Sequence, residues 1–161
     1  MPSKKNTKYL SLLVLFFTFS FGFSQNTSKF KVVLDAGHGG EDPGAIKNGI
    51  KEKDIVLDVV LKIGKILEKN NSIEVVYTRK TDVFIGLRER ANIANKAKAN
   101  LFISVHCNGV KSTAARGTET FVMGMSRTDT NLDIAKKENG VIFLEKDYNE
   151  KYKGFDPNNP E

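Results

Sequence analysis

The stretch KVVLDAGHGGEDPGAIKNGIKEKDIVLDVVLKIGKILEKN, Lys31 to Asn70, decides the fold class of this chain. Lys31 to Asp35 (KVVLD) places apolar side chains on consecutive positions, the pattern of a strand covered on both faces. Ala36 to Lys51 is rich in Gly, Asp, Pro and Asn and reads as a loop. Glu52 to Asn70 then spaces Ile55, Val56, Val59, Val60, Ile63, Ile66 and Leu67 along one face of a helix. Strand, loop and helix of these lengths form the first half of a crossover unit.

The rest of the chain repeats that alternation. Ser72 to Thr78 (SIEVVYT) is a second strand and ends at Arg79. Ile85 to Ala99 is a second helix, marked by Leu87, Ala91, Ile93, Ala94 and Ala97. Leu101 to His106 (LFISVH) is a third strand and Thr118 to Met123 (TETFVM) a fourth. The expected architecture is α/β, a mostly parallel twisted sheet with helices on both faces. Beyond Gly124 the pattern changes: Asn131 to Tyr148 has helical stretches around Gly140, and 149–161 is polar, so the domain reads as cut short at its C-terminus.

The N-terminus reads as a signal peptide over residues 1–24. Lys4, Lys5 and Lys8 precede an apolar run from Tyr9 to Phe23, and Gly22 and Ser24 stand where a signal peptidase reads small residues. At about 15 residues the run is short of the roughly 20 that a spanning helix needs. The expected location is therefore outside the cytoplasm, in the periplasm or cell envelope, with no stable membrane anchor after cleavage. Removing the first 24 of 161 residues leaves 137, enough for one domain, residues 25–161. It also removes three lysines and no acid, so the net charge of +6 falls to +3, and nucleic acid is not an expected partner. Cys107 is the one cysteine, so no intrachain disulfide holds the fold.

Ligands of open α/β sheets bind beyond the carboxyl ends of the strands. His38 follows the first strand and His106 ends the third, so both histidines of the chain arrive at that edge. Glu52 opens the first helix, which starts near the same edge. Two imidazoles and one carboxylate are a three-ligand set for catalytic zinc, with the fourth position left to water. The competing phosphate loop fails because Gly37-His38-Gly39-Gly40-Glu41-Asp42 lacks the last glycine of its pattern and sets two carboxylates where an anion would lie. Alone, Glu52 also reads as an acid at a helix N-terminus. Cys107 cannot pair with His106 as a nucleophile, because strand neighbours point to opposite faces. Asp35 is positioned to fix a histidine tautomer or to tie down the loop, and Arg88 and Asn92, at i and i+4, to buttress the strand ends. The glycines around His38 read as clearance for a substrate approaching the metal.

Three blocks carry a family resemblance: VVLDAGHGGEDPGAIKNGIKEKDIVLDV, then TR with LRERANIANKAKANLFISVHCN, then RGTETFVM. In that order and spacing the chain, from Lys31 to about Met123, resembles a zinc-dependent N-acetylmuramoyl-L-alanine amidase of the type-3 family. The resemblance implies one zinc ion on His38, Glu52 and His106. It also implies hydrolysis of the peptidoglycan amide between N-acetylmuramic acid and L-alanine. It places the general-base glutamate late in the domain, before a GFLSN-like segment, a context that neither Glu41 nor Glu119 matches and that is expected beyond Glu161. In cell-separation amidases of Gram-negative bacteria a helical insertion after the RGTETF-like strand shields the zinc until a partner protein displaces it. Residues 128–160 lie at that place, which implies either a regulatory insertion with an activator protein or a plain surface helix. Two alternatives remain open: a peptidoglycan-binding module without catalysis, and a different zinc peptidase acting on cell-wall peptides.

Overall fold

The computed structural model describes residues 28–107, 114, 116–122 and 129–156. The signal peptide expected over 1–24 lies outside them. The elements run β1 (Phe30–Ala36), β2 (Ile46–Lys47), β3 (Ile50–Lys51), α1 (Glu52–Leu67), β4 (Ile73–Tyr77), α2 (Leu87–Ala97) and β5 (Leu101–Val105). After these come α3 (Asp129–Asn139), a 3₁₀ turn (Gly140–Leu144) and the one-turn α4 (Tyr148–Lys151).

The sheet is parallel, in the order β4-β1-β5, with Val33 level with Val76 on one side and Phe102 on the other. The chain therefore leaves β1 through α1 to one side and returns through α2 to the other. Reversal of winding at a central strand opens a crevice at the carboxyl ends of the strands.

The apolar run of β1 is explained by cover on both faces: Val32, Val33, Leu34, Asp35 and Ala36 are all buried. Val32, Leu34 and Ala36 pack with Val56 and Val60 of α1 in one cluster, joined by Ile103 and Val105 of β5. Full burial of a valine such as Val56 or Val60 contributes about 1.5–3 kcal/mol. Asp35, pointing the other way by the two-residue period of a strand, meets Arg90 of α2. Helices thus lie on both faces. No described helix is long and apolar enough to cross a membrane.

The fourth strand expected at Thr118 to Met123 does not form over the described part. Thr118 to Val122 has no ladder partner and is exposed, with Val122 at 79%. An alternating Thr/Phe/Val run is a strand only where a sheet edge receives it, because its preference is for a pleated, half-buried surface.

Candidate metal centre

His38 and His106 meet at the switch point, just past the ends of β1 and β5, and Glu52 joins them from the first turn of α1. His38 Nε2 lies 3.2 Å from Glu52 Oε1 and 3.2 Å from His106 Nδ1, while His106 Nδ1 and Glu52 Oε1 are 3.4 Å apart. A fourth side chain completes the group. Glu138 of α3 brings Oε2 to 2.9 Å from His106 Nδ1 and 3.4 Å from His38 Nε2.

These separations fit a metal ion. For bonds of about 2.0–2.1 Å, the edge of a tetrahedron of ligand atoms is roughly 3.3 Å. His38, His106 and Glu138 each offer an atom within 4.8 Å of the others, and Glu52 touches both imidazoles. Glu138 Oε1 is buried and accepts no hydrogen bond, with Lys137 Nζ at 3.8 Å. An orphaned carboxylate oxygen in such a cluster is the kind of polar atom that a bound cation satisfies.

The surroundings fix the orientation of each donor. Asp42 Oδ2 lies 2.7 Å from His38 Nδ1, so the carboxylate holds the proton there and turns Nε2 inward. Its other oxygen accepts the Gly44 N–H at 3.1 Å. Glu52 is pinned by the Cys107 N–H on Oε1 at 2.6 Å and the Ala45 N–H on Oε2 at 2.9 Å. His38 itself sits at φ 59°, a left-handed conformation uncommon for a residue with a Cβ. Two buried guanidiniums hold the turn that imposes it. Arg79 donates to the carbonyls of Ala36 (2.9 Å), Gly37 (2.7 Å) and Lys53 (2.9 Å). Arg90 donates to the carbonyls of Ala36 (2.8 Å) and His38 (2.9 Å) and to Asp35 Oδ1 (2.7 Å).

Several expected roles change hands here. Asp35 does not reach a histidine; it accepts the hydroxyls of Thr78 and Ser104 at 2.6 Å each and thereby ties β1 to both neighbouring segments. The carboxylate on the histidine is Asp42. Arg88 and Asn92 do not buttress the strand ends, since Arg88 lies over the Tyr152 ring and Asn92 reaches Glu89. Arg90, two residues along the same helix, has that place. The glycines make room for the imidazoles as well as for the chain. A Cβ on Gly37 would stand 2.4 Å from His106 Cε1, and one on Gly44 2.6 Å from His38 Cδ2. Cys107 packs beside the core cluster, and burial with the Glu52 carboxylate raises its thiol pKa, the opposite of an activated nucleophile.

Burial opposes charge on both imidazoles, but the carboxylates outweigh it. Asp42, Glu138 and Glu52 push His38 up to about 11, and Glu138 and Glu52 push His106 up to about 9. Burial likewise opposes ionisation of the acids, yet the histidines hold Glu138 at about 2 and Glu52 well below the usual carboxylate range. The cluster is thus built to hold positive charge at its centre. Protons supply it in the metal-free chain and a divalent cation would replace them.

Fold and cluster together define an α/β domain with a candidate His/Glu metal centre at its switch point. Residues 32–159 match the Amidase_3 family, N-acetylmuramoyl-L-alanine amidase, and the chain belongs to that family. It is 53% identical over 90 residues to an endolysin of Bacillus phage SPP1, covering 56% of this chain and 32% of that one. It is 38% identical over 123 residues to a probable N-acetylmuramoyl-L-alanine amidase AmiB of Haemophilus influenzae, covering 74% and 28%. Among solved structures, the catalytic domain of the amidase CwlV from Bacillus (Paenibacillus) polymyxa var. colistinus superposes with a TM-score of 0.51 at 42% identity. That match covers 53% of this chain and 49% of the other. The chain thus spans less than a third of the length of the two curated relatives.

Proposed function

We propose that the protein hydrolyses the amide between N-acetylmuramic acid and L-alanine in peptidoglycan, using one zinc ion held by His38, Glu52 and His106. The observation that carries this reading is the 3.2–3.4 Å spacing of three donor atoms at the switch point of an amidase-family sheet. When bound, zinc supplies Lewis acidity, polarising a carbonyl and acidifying a water toward a pKa of about 7. The chain's own residues set that centre. Asp42 holds the His38 tautomer, the backbone amides of Ala45 and Cys107 orient Glu52, and Arg79 and Arg90 fix the turn beneath. The N-terminal leader assigns the protein to the cell envelope.

We further read α3 as part of the regulatory insertion, residues 128–160. Glu138 stands against both imidazoles, the place that a water or a scissile carbonyl would need. In this reading the carboxylate must leave before substrate enters, and an activator protein supplies the displacement.

The test uses the full-length protein on purified sacculi. Wild type binds one zinc and releases intact stem peptides by mass spectrometry, and deletion of 128–160 raises the rate. His38→Ala and His106→Ala lose both zinc and hydrolysis. Stoichiometric zinc in either variant overturns the ligand set, release of shortened peptides points to a peptidase, and binding without release points to a peptidoglycan-binding module.

A further inference from the structure

α2 begins without a cap of its own: Gly86 occupies the N-cap position and has no side chain to receive the first N–H groups. That acceptor comes from 58 residues further along the chain. Glu145, directly after the 3₁₀ turn, is 7% exposed and accepts the Leu87 N–H on Oε1 at 2.9 Å. The same oxygen accepts the Tyr152 hydroxyl at 2.7 Å. Gly86 is what admits it, since a Cβ there would stand 2.7 Å from the Glu145 carboxylate. Tyr152 adds a second hold through the Arg88 guanidinium, 5.1 Å from its ring centre, while its hydroxyl accepts the Arg88 N–H at 3.3 Å. Ile142, between Glu138 and Glu145, is 1% exposed.

The segment 129–156 therefore has polar footholds on the domain at Glu138, in the candidate metal centre, and at Glu145 with Tyr152, at the start of α2. They are joined by one short turn, and α2 is also the helix whose Arg90 grips the His38 carbonyl. We propose that Glu145 and Tyr152 form a latch that keeps Glu138 in the metal centre. Opening then consists of withdrawing a borrowed N-cap from α2, and the closed population is set at a contact separate from the metal ligands. This rests on the reading of Glu138 as a blocking residue.

Deuterium exchange of the full-length, zinc-loaded protein tests it, with activity on sacculi as a second readout. Loss of an N-cap shifts a local equilibrium by several-fold to about tenfold. Glu145→Ala is expected to speed exchange across 132–144 by that factor and raise activity, with Tyr152→Phe giving a smaller change in the same direction. Tyr152→Phe leaves Glu145 on Leu87, so it decides the matter if Glu145→Ala unfolds α2. Unchanged exchange in 132–144 for a folded Glu145→Ala protein overturns the latch, as does unchanged exchange in Tyr152→Phe if only that variant folds. Because exchange is read without turnover, faster exchange with no hydrolysis by any form counts against the amidase reading and leaves the latch standing.

Discussion

Replacement of Asp42 by Asn tests whether the centre depends on a carboxylate behind His38. The two oxygens of Asp42 have separate duties: Oδ2 serves His38 Nδ1 at 2.7 Å and Oδ1 the Gly44 N–H at 3.1 Å. An asparagine has one acceptor, so either His38 or Gly44 must face an NH₂ group. If the amide oxygen stays with Gly44, the histidine loses the tautomer that turns Nε2 inward. If it stays with His38, the loop that carries Gly44 is released. Either way the charge-assisted bond behind the ligand is lost. Such losses behind a metal-bound histidine lower metal affinity about 10- to 100-fold, which corresponds to about 1.4–2.7 kcal/mol. Competition against a chromophoric zinc chelator at pH 7.5 measures this directly, with thermal melts of the metal-free forms as a check on folding. A folded Asp42→Asn protein that binds zinc within twofold of wild type would refute the reasoning.

Three other outcomes are expected. Gly37→Ala puts a methyl group 2.4–2.7 Å from three atoms of the His106 ring, so zinc affinity should fall more than about tenfold while the metal-free melting temperature changes little; equal affinity in the titration would show that the ring has room. Arg90→Met leaves the buried Asp35 carboxylate without its ion pair and the His38 carbonyl without the guanidinium that holds it, a loss of about 3–5 kcal/mol, read as a drop of roughly 10 °C or more in melting temperature. A drop of only a degree or two would show that the pair contributes little. The third outcome concerns pH. His106 and His38 are raised from 6.5 to about 9 and about 11, so the folded metal-free chain binds more protons than the unfolded one above pH 6.5 and loses stability as pH rises through 9. Zinc requires unprotonated imidazoles, so its stabilising effect should grow over the same interval. Melts of the two forms from pH 6.5 to 9 should diverge, and parallel curves would contradict the assignment.

Much of the scaffold was legible in the residues because backbone rules act locally. The unbroken apolar run of β1 needed cover on both faces, and the 3.6-residue spacing of Val56 and Val60 needed a helix to supply it. Topology then brought His38, Glu52 and His106 to one edge. Asp42 was visible only as one of two acids in a loop, since its role depends on the left-handed turn at His38. Arg88 and Arg90 belong to the same polar pattern, and which of them faces β1 depends on how α2 docks on the sheet, a tertiary property in which Arg90 meets Asp35 and Arg88 lies over Tyr152. Glu138 sits between Lys137 and Asn139 in a polar helix whose spacing marks no face for burial. Its place at the centre comes from the tertiary path of 129–156. The TETFV segment failed for the converse reason: local preference cannot supply a neighbouring sheet edge.

The position of Glu138 has one more consequence. With it in place four side chains, His38, His106, Glu52 and Glu138, offer donors to the centre, the closed four-donor count of sites that keep zinc for structure rather than for chemistry. The resting protein should therefore resist metal scavenging better than the open one. A helix that silences the centre would then also be its safeguard in zinc-poor surroundings, and activation would expose the ion to loss at the same moment that it admits the substrate.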